Sequence, residues 1–183
     1  MKKTMLLLLF ACFICTSSFA QLEKGNWLVG GSGSFSSAKT RDVQDEYSTA
    51  RLNLSANLGY FFLNKFATGL ILDYRYTDID TYDNPNYFGG YNSSYNIGPF
   101  LKYYFLPIES PVNIFFQTDY GLQFERNNLY LKNLTIKAGP VLYLNSSVGL
   151  EFNIGYSNIK NNDNKGNTNS ILMGLGFQIH LKK

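Results

Sequence analysis

The sequence predicts an all-β protein, an eight-stranded antiparallel up-and-down transmembrane β-barrel. Three observations carry this expectation. Apolar and polar residues alternate with period two in run after run, the connections between runs switch between short and long, and charges avoid the oily face of each run. No stretch after Gln21 carries a helical apolar period or approaches the length of a membrane helix.

The chain opens with a leader. Lys2 and Lys3 form a basic start, Met5 to Ile14 an apolar stretch, and Ser18-Phe19-Ala20 a small-x-small pattern before Gln21. Residues 1–20 read as a cleavable signal peptide and 21–183 as the barrel domain. A lipoprotein signal ending at Cys12 is the rival, but Phe10 fits it poorly and the residues after Cys12 stay apolar. Both cysteines, Cys12 and Cys15, fall in the leader, so the mature chain is expected to form no disulfide.

The alternating runs lie at 25–36, 48–62, 66–77, 94–105, 112–125, 132–144, 147–157 and 169–181. In the second, Leu52, Leu54, Ala56, Leu58 and Tyr60 interleave with Arg51, Asn53, Ser55, Asn57 and Gly59. In the seventh, Val148, Leu150, Phe152, Ile154 and Tyr156 interleave with Gly149, Glu151, Asn153, Gly155 and Ser157. Successive strand residues point to opposite sides, so each run has one oily and one polar face. Several runs reach the roughly 9–11 residues that a tilted strand needs to cross a bilayer.

Leu63-Asn64-Lys65, Leu106 to Ser110 and Asn145-Ser146 read as tight turns. Ser37 to Tyr47, Asp78 to Ser93, Arg126 to Leu131 and Asn158 to Thr168 read as longer polar loops. Short turns on one side and long loops on the other are the outer-membrane pattern, which would leave both termini periplasmic. A faint repeat of about 40 residues places Gly before an aromatic or Pro in the even strands: Gly59-Tyr60, Gly98-Pro99, Gly139-Pro140 and Gly176-Phe177. Proline cannot donate to a ladder, so a bulge or local break is expected beside Pro99 and Pro140.

The sorting of charge decides between a soluble and a membrane barrel. The polar face carries Arg51, Asp73, Arg75, Lys102, Asp119, Glu125, Lys137 and Glu151, balanced in sign and mixed with Asn, Gln, Ser and Gly. That set suits a narrow lumen in which buried charges must pair. The opposite face is uncharged, Leu-rich and aromatic. It suits lipid, whereas in water such a belt would drive aggregation. Tyr60, Phe66 and Tyr103 are expected in a girdle on the turn side, with Tyr74, Tyr76, Tyr95, Tyr120 and Tyr156 in one on the loop side. Charged residues are 16% of the chain, below the roughly 25% of soluble domains, and its net charge of +3 is dispersed, which argues against nucleic-acid binding.

The segment Ile97-Gly98-Pro99-Phe100-Leu101-Lys102-Tyr103-Tyr104-Phe105 resembles a strand signature of bacterial outer-membrane β-barrel domains. Over the mature chain the sequence resembles the small-barrel family typified by the membrane domain of OmpA and by OmpX. The resemblance implies insertion by the barrel-assembly machinery and contact with membrane lipid and lipopolysaccharide. It departs at the C-terminus, which ends on Leu181-Lys182-Lys183 rather than on an aromatic residue.

Three constellations are candidates for chemistry. His180, the one histidine, is expected on the inward face near the turn end, as a hydrogen-bonded plug residue rather than a member of a His-Ser dyad. The lumen charges are expected to form a salt-bridge ladder that either plugs the barrel or lines a narrow pore. The loop from Asp78 to Tyr91 joins Asp78, Asp80 and Asp83 to Tyr82, Tyr87, Phe88 and Tyr91. Its carboxylates match no EF-hand spacing, and its aromatics form a candidate contact surface for a protein or glycan ligand.

The expected function is therefore a structural or surface-interaction role in the outer membrane, in a monomer without catalysis, cofactor or metal. The alternatives are a narrow pore for small ions or solutes, an envelope-lipid-modifying barrel enzyme, and a soluble periplasmic carrier with a lipocalin-like barrel.

Overall fold

The computed structural model describes residues 22–41, 46–81, 90–125, 130–161 and 167–182. The leader, and with it the expected cleavage site, lies outside the described residues, as do Tyr82, Asp83, Tyr87 and Phe88.

Eight strands form one closed antiparallel barrel in chain order. They are β1 (Trp27–Arg41), β2 (Glu46–Leu63), β3 (Phe66–Thr81), β4 (Gly90–Tyr104), β5 (Val112–Glu125), β6 (Tyr130–Tyr143), β7 (Val148–Asn161) and β8 (Asn167–Leu181). Most run further toward the loop end than alternation suggested. β3 continues past 77 to Thr81, and β4 starts at Gly90 rather than 94, so Asp78, Asp80 and Tyr91 belong to strands and not to a loop. The physical reason is that ladder hydrogen bonds do not require an oily face. Beyond the apolar belt both faces are polar, alternation vanishes, and pairing continues.

Outward positions carry the large exposed apolar side chains, among them Leu54, Leu58, Leu70, Leu72, Leu101, Ile136, Phe152 and Ile154. Inward positions are buried in alternation from Ser94 to Tyr104 on β4 and from Asn113 to Gln123 on β5. At the turn end Trp27 meets Tyr60 edge-on at 5.4 Å and Phe66 meets Tyr103 at 5.7 Å. On the loop side Tyr74 packs on Tyr95 at 5.1 Å. These contacts join neighbouring strands, so each girdle is a set of cross-strand aromatic pairs as well as a band.

The two prolines break ladders without shifting them. Pairing of β4 with β5 skips Gly98 and Pro99 and resumes in the same register at Phe100–Asp119. Pairing of β6 with β7 skips Gly139 and Pro140 and resumes at Val141–Glu151. The preceding glycine explains the geometry: a Cβ on Gly98 would collide with the Tyr120 carbonyl, and one on Gly139 with the Phe152 carbonyl. The backbones approach too closely there for a side chain.

Each turn is held by specific polar contacts. Asn64-Lys65 joins β2 to β3, with Lys65 at a left-handed φ of 65°. That conformation is uncommon for a residue with a Cβ, and it is pinned because the Lys65 N–H donates to the Leu22 carbonyl at 2.7 Å. In the β4–β5 turn, Asn113 is fully buried and acts as a backbone mimic, accepting from Leu106 N–H at 2.9 Å and donating to the Leu106 carbonyl at 3.2 Å. In the β6–β7 turn, Asn145 Oδ1 accepts from the N–H groups of Ser147 and Val148, each at 2.8 Å.

Candidate functional site in the lumen

The lumen is layered from turn end to loop end. At the turn end the lumen is filled largely by apolar and aromatic side chains: Leu28, Phe61, Tyr104, Phe115, Val141 and Tyr143 pack into one buried cluster. The segment before β1 folds back under this cluster. Gly25 N–H donates to the Phe61 carbonyl, Phe61 N–H to the Asn26 carbonyl, and the Leu22 side chain is driven to zero exposure. Leu22 thus caps the barrel floor. The sequence offered no periodic signal for it, because it precedes the first strand.

His180 stands inside this cluster. It is on the inward face at the turn end, as expected, but the expected hydrogen bonding is corrected: neither ring nitrogen has a partner among the described residues. Its ring instead lies 5.7 Å from Phe61, 6.1 Å from Tyr104 and 5.7 Å from Tyr143. Inward aromatics from β2, β4 and β6 converge there and enclose the ring.

The next layer holds a buried ion pair. Lys102 Nζ donates to Glu151 Oε1 at 2.5 Å, and Gln178 Nε2 donates to Glu151 Oε2 at 3.3 Å. The ammonium also sits 4.2 Å from the centroid of the Phe115 ring, a cation–π contact that offsets part of its desolvation. One level up, Lys137 Nζ lies 3.7 Å from Asp119 Oδ1, with Gln117 donating to the same carboxylate at 3.3 Å.

Above these pairs the lumen opens into a cavity of about 160 Å³. Asp73, Arg75, Asn96, Asn133, Lys137 and Ser157 are part of its wall. Here the expected ladder is corrected. Asp73 accepts from Asn96 Nδ2 at 2.8 Å, while Arg75 Nε donates to Asn53 Oδ1 at 3.1 Å. Among the described residues the lumen charges form two separate ion pairs at different heights, not one chain. Alternation fixed which face these residues occupy, but the barrel stagger decides which of them stand level with each other.

The remaining expected residues are more peripheral. Arg51 shares the inward parity of Asn53 and Ser55 but is exposed at the mouth. The backbone of Glu125 ends β5 opposite Ser94, and its side chain lies outside the described residues. Tyr91 is exposed on β4 and stacks on Tyr76 at 6.3 Å, which extends the loop-side girdle.

No protein-family model and no curated protein matches this chain. Solved structures do. Neisserial surface protein A (NspA) aligns with a TM-score of 0.56 and 17% identity, covering 85% of this chain and 97% of its own. The outer membrane protein OprG from Pseudomonas aeruginosa aligns with a TM-score of 0.54 and 12% identity, covering 88% and 98%. The outer membrane enzyme PagL overlays more loosely, with a TM-score of 0.44 and 17% identity, covering 84% of this chain and 98% of its own. At these identities the likeness is one of fold.

Proposed function

We propose that the chain is an integral outer-membrane barrel with a structural or surface-interaction role, of the small-barrel kind typified by the membrane domain of OmpA and by OmpX. In this reading residues 1–20 are removed on export, the turn end and both termini face the periplasm, and the loop end faces outward. Membrane lipid and lipopolysaccharide surround a monomeric barrel placed by the insertion machinery. The loop ends, with Tyr91 and the aromatics beyond it, meet a protein or glycan ligand.

The sealed lumen is the observation that carries a non-conducting role. Leu22, Leu28, Phe61, Tyr104 and Tyr143 are all buried across the floor, and the Lys102–Glu151 pair lies directly above them. A path for ions would have to part an aromatic cluster and a desolvated ion pair together. Membrane residence is supported by the outward belt, which no soluble carrier would show to water. A non-catalytic role is supported by His180, whose ring is fully buried below the ion pair and away from both lipid and loops.

Planar-bilayer recording tests this reading. Protein refolded from detergent should insert and stay electrically silent. Discrete openings altered by Asp119→Ala would establish the pore instead. Envelope lipids changed by overexpression, and restored by His180→Ala, would establish the enzyme. Extraction from cells without detergent would remove the membrane placement altogether.

A further inference from the structure

The wall of the barrel is not zipped along its whole height. β1 pairs with β8 from Trp27–Leu181 to Gly33–Leu175, and there the ladder ends. Both strands continue. β1 remains paired with β2 out to Arg41, and β8 with β7 out to Asn167. From Ser34 on β1 and from Gly174 on β8, the facing edges have no ladder partner across the seam among the described residues. Side-chain exposure marks the same place: Phe35, Ile171 and Met173 are 71%, 79% and 78% exposed, against 52–54% for Leu175 and Phe177 just below. The split begins inside the oily belt, because Met173 pairs with Ile154 and Ile171 with Tyr156, all outward residues at belt height.

Two concavities meet at this split. Inside is the polar cavity with Arg75, Lys137 and Asp73 in its wall. Outside is an apolar groove over β8, β7 and β6, lined by Phe35, Pro140, Phe152, Ile154, Met173 and Leu175. Gly33, Ser34, Asn153, Met173 and Gly174 line both. At the start of the slit the lumen-face residues are small, Ser34 on β1 and Gly174 on β8, with Leu172 the next lumen-face residue along β8. A short polar chain leads inward from the slit, with Asn53 Nδ2 donating to Ser34 Oγ at 3.1 Å and Arg75 Nε donating to Asn53.

We infer that this seam is a lateral binding site for a single-chain lipid with a small carboxylate head, a long-chain fatty acid presented from the bilayer. The head enters between Ser34 and Gly174 and meets the cavity, whose wall holds Arg75 beside the neutral Asn53, Lys137 beside Asp119, and Asp73 bonded to Asn96. The acyl chain stays outside in the groove, over Phe152, Ile154 and Met173. The fit follows from polarity on either side of one opening. Bare strand edges at hydrocarbon depth are costly unless something polar satisfies them, and a head group carrying acceptors supplies part of that need. Ser34 and Gly174, without bulk at the start of the slit, leave room for a small head, and the groove outside receives the chain.

This inference rests on the membrane placement proposed above, and its test separates the two. The mature chain contains no cysteine, so Ser34→Cys combined with Gly174→Cys places one disulfide at the next register step above Gly33–Leu175. In nanodiscs of zwitterionic lipid, an anthroyloxy-labelled stearate should bind the wild-type barrel saturably. Oxidising the double variant should weaken binding about tenfold or more, and reduction should restore it. Arg75→Gln, which adds no cross-link, should weaken the labelled acid while leaving the matching fatty alcohol unchanged. Equal binding by oxidised and reduced protein overturns the inference, as does equal binding of acid and alcohol. A dimer that the disulfide dissolves would assign the open edges to a second copy instead. Failure of the wild-type protein to enter nanodiscs at all would instead overturn the membrane placement.

Discussion

The ammonium of Lys102 on β4 meets the carboxylate of Glu151 on β7 across the lumen, and both side chains are almost wholly shut off from solvent. Residues 49 apart in sequence thus neutralise each other just above the apolar floor. Removing one partner leaves a buried charge alone, so Lys102→Met or Glu151→Gln should each destabilise the barrel by about 3–5 kcal/mol. The double variant should cost clearly less than the sum of the two. Urea unfolding from vesicles, followed through Trp27 fluorescence, reads all three, and strict additivity would show that the pair is not coupled.

His180 gives a prediction of opposite sign. Its ring is enclosed by Phe61, Tyr104 and Tyr143, and its nitrogens find no partner. An unsatisfied buried polar group costs on the order of 1–3 kcal/mol, so His180→Phe should hold stability or raise it. A loss of more than about 1 kcal/mol on the same unfolding curve would mean that the imidazole has a polar partner after all.

Glycine positions separate close approach from chance. Gly98 faces the Tyr120 carbonyl where an added Cβ has no room, whereas an added Cβ on Gly90 meets nothing within 4 Å. Gly98→Ala should sharply reduce the yield of the heat-modifiable, folded band on an unboiled gel, and Gly90→Ala should leave it unchanged. Equal yields would show that the β4–β5 crossing relaxes easily.

The outward belt predicts a depth-dependent penalty. Leu70 on β3 is an exposed outward residue near mid-belt, and Asp78 has the same outward parity on that strand toward the loop end, opposite Tyr91. Leu70→Arg should cost about 2–4 kcal/mol of folding free energy in vesicles, and Asp78→Arg about 0–1 kcal/mol. A flat profile along β3 would argue that this face does not contact lipid.

Alternation alone carried the strand count, the closed antiparallel class and the inward sense of Asp73, Arg75, Lys102, Asp119, Lys137 and Glu151. It is local, set by the two-residue period of each strand, and Leu58 against Asn57 or Phe152 against Glu151 shows it without any knowledge of neighbours. The break beside each proline was legible for the same reason, since the missing N–H belongs to Pro99 and Pro140 themselves. Strand ends were not legible where both faces are polar, as at Asp78 and Tyr91.

What the tertiary structure decided is everything that depends on height and closure. Stagger chose Glu151 for Lys102 and Asp119 for Lys137, and left Asp73 and Arg75 to Asn96 and Asn53. The return of Leu22 beneath Phe61 sealed the floor with a residue from outside any strand. The meeting of the first strand with the last set where the wall ends at Gly33 and Leu175. Each of these joins residues far apart in the chain, and a period-two pattern carries no information about which distant strand positions come level.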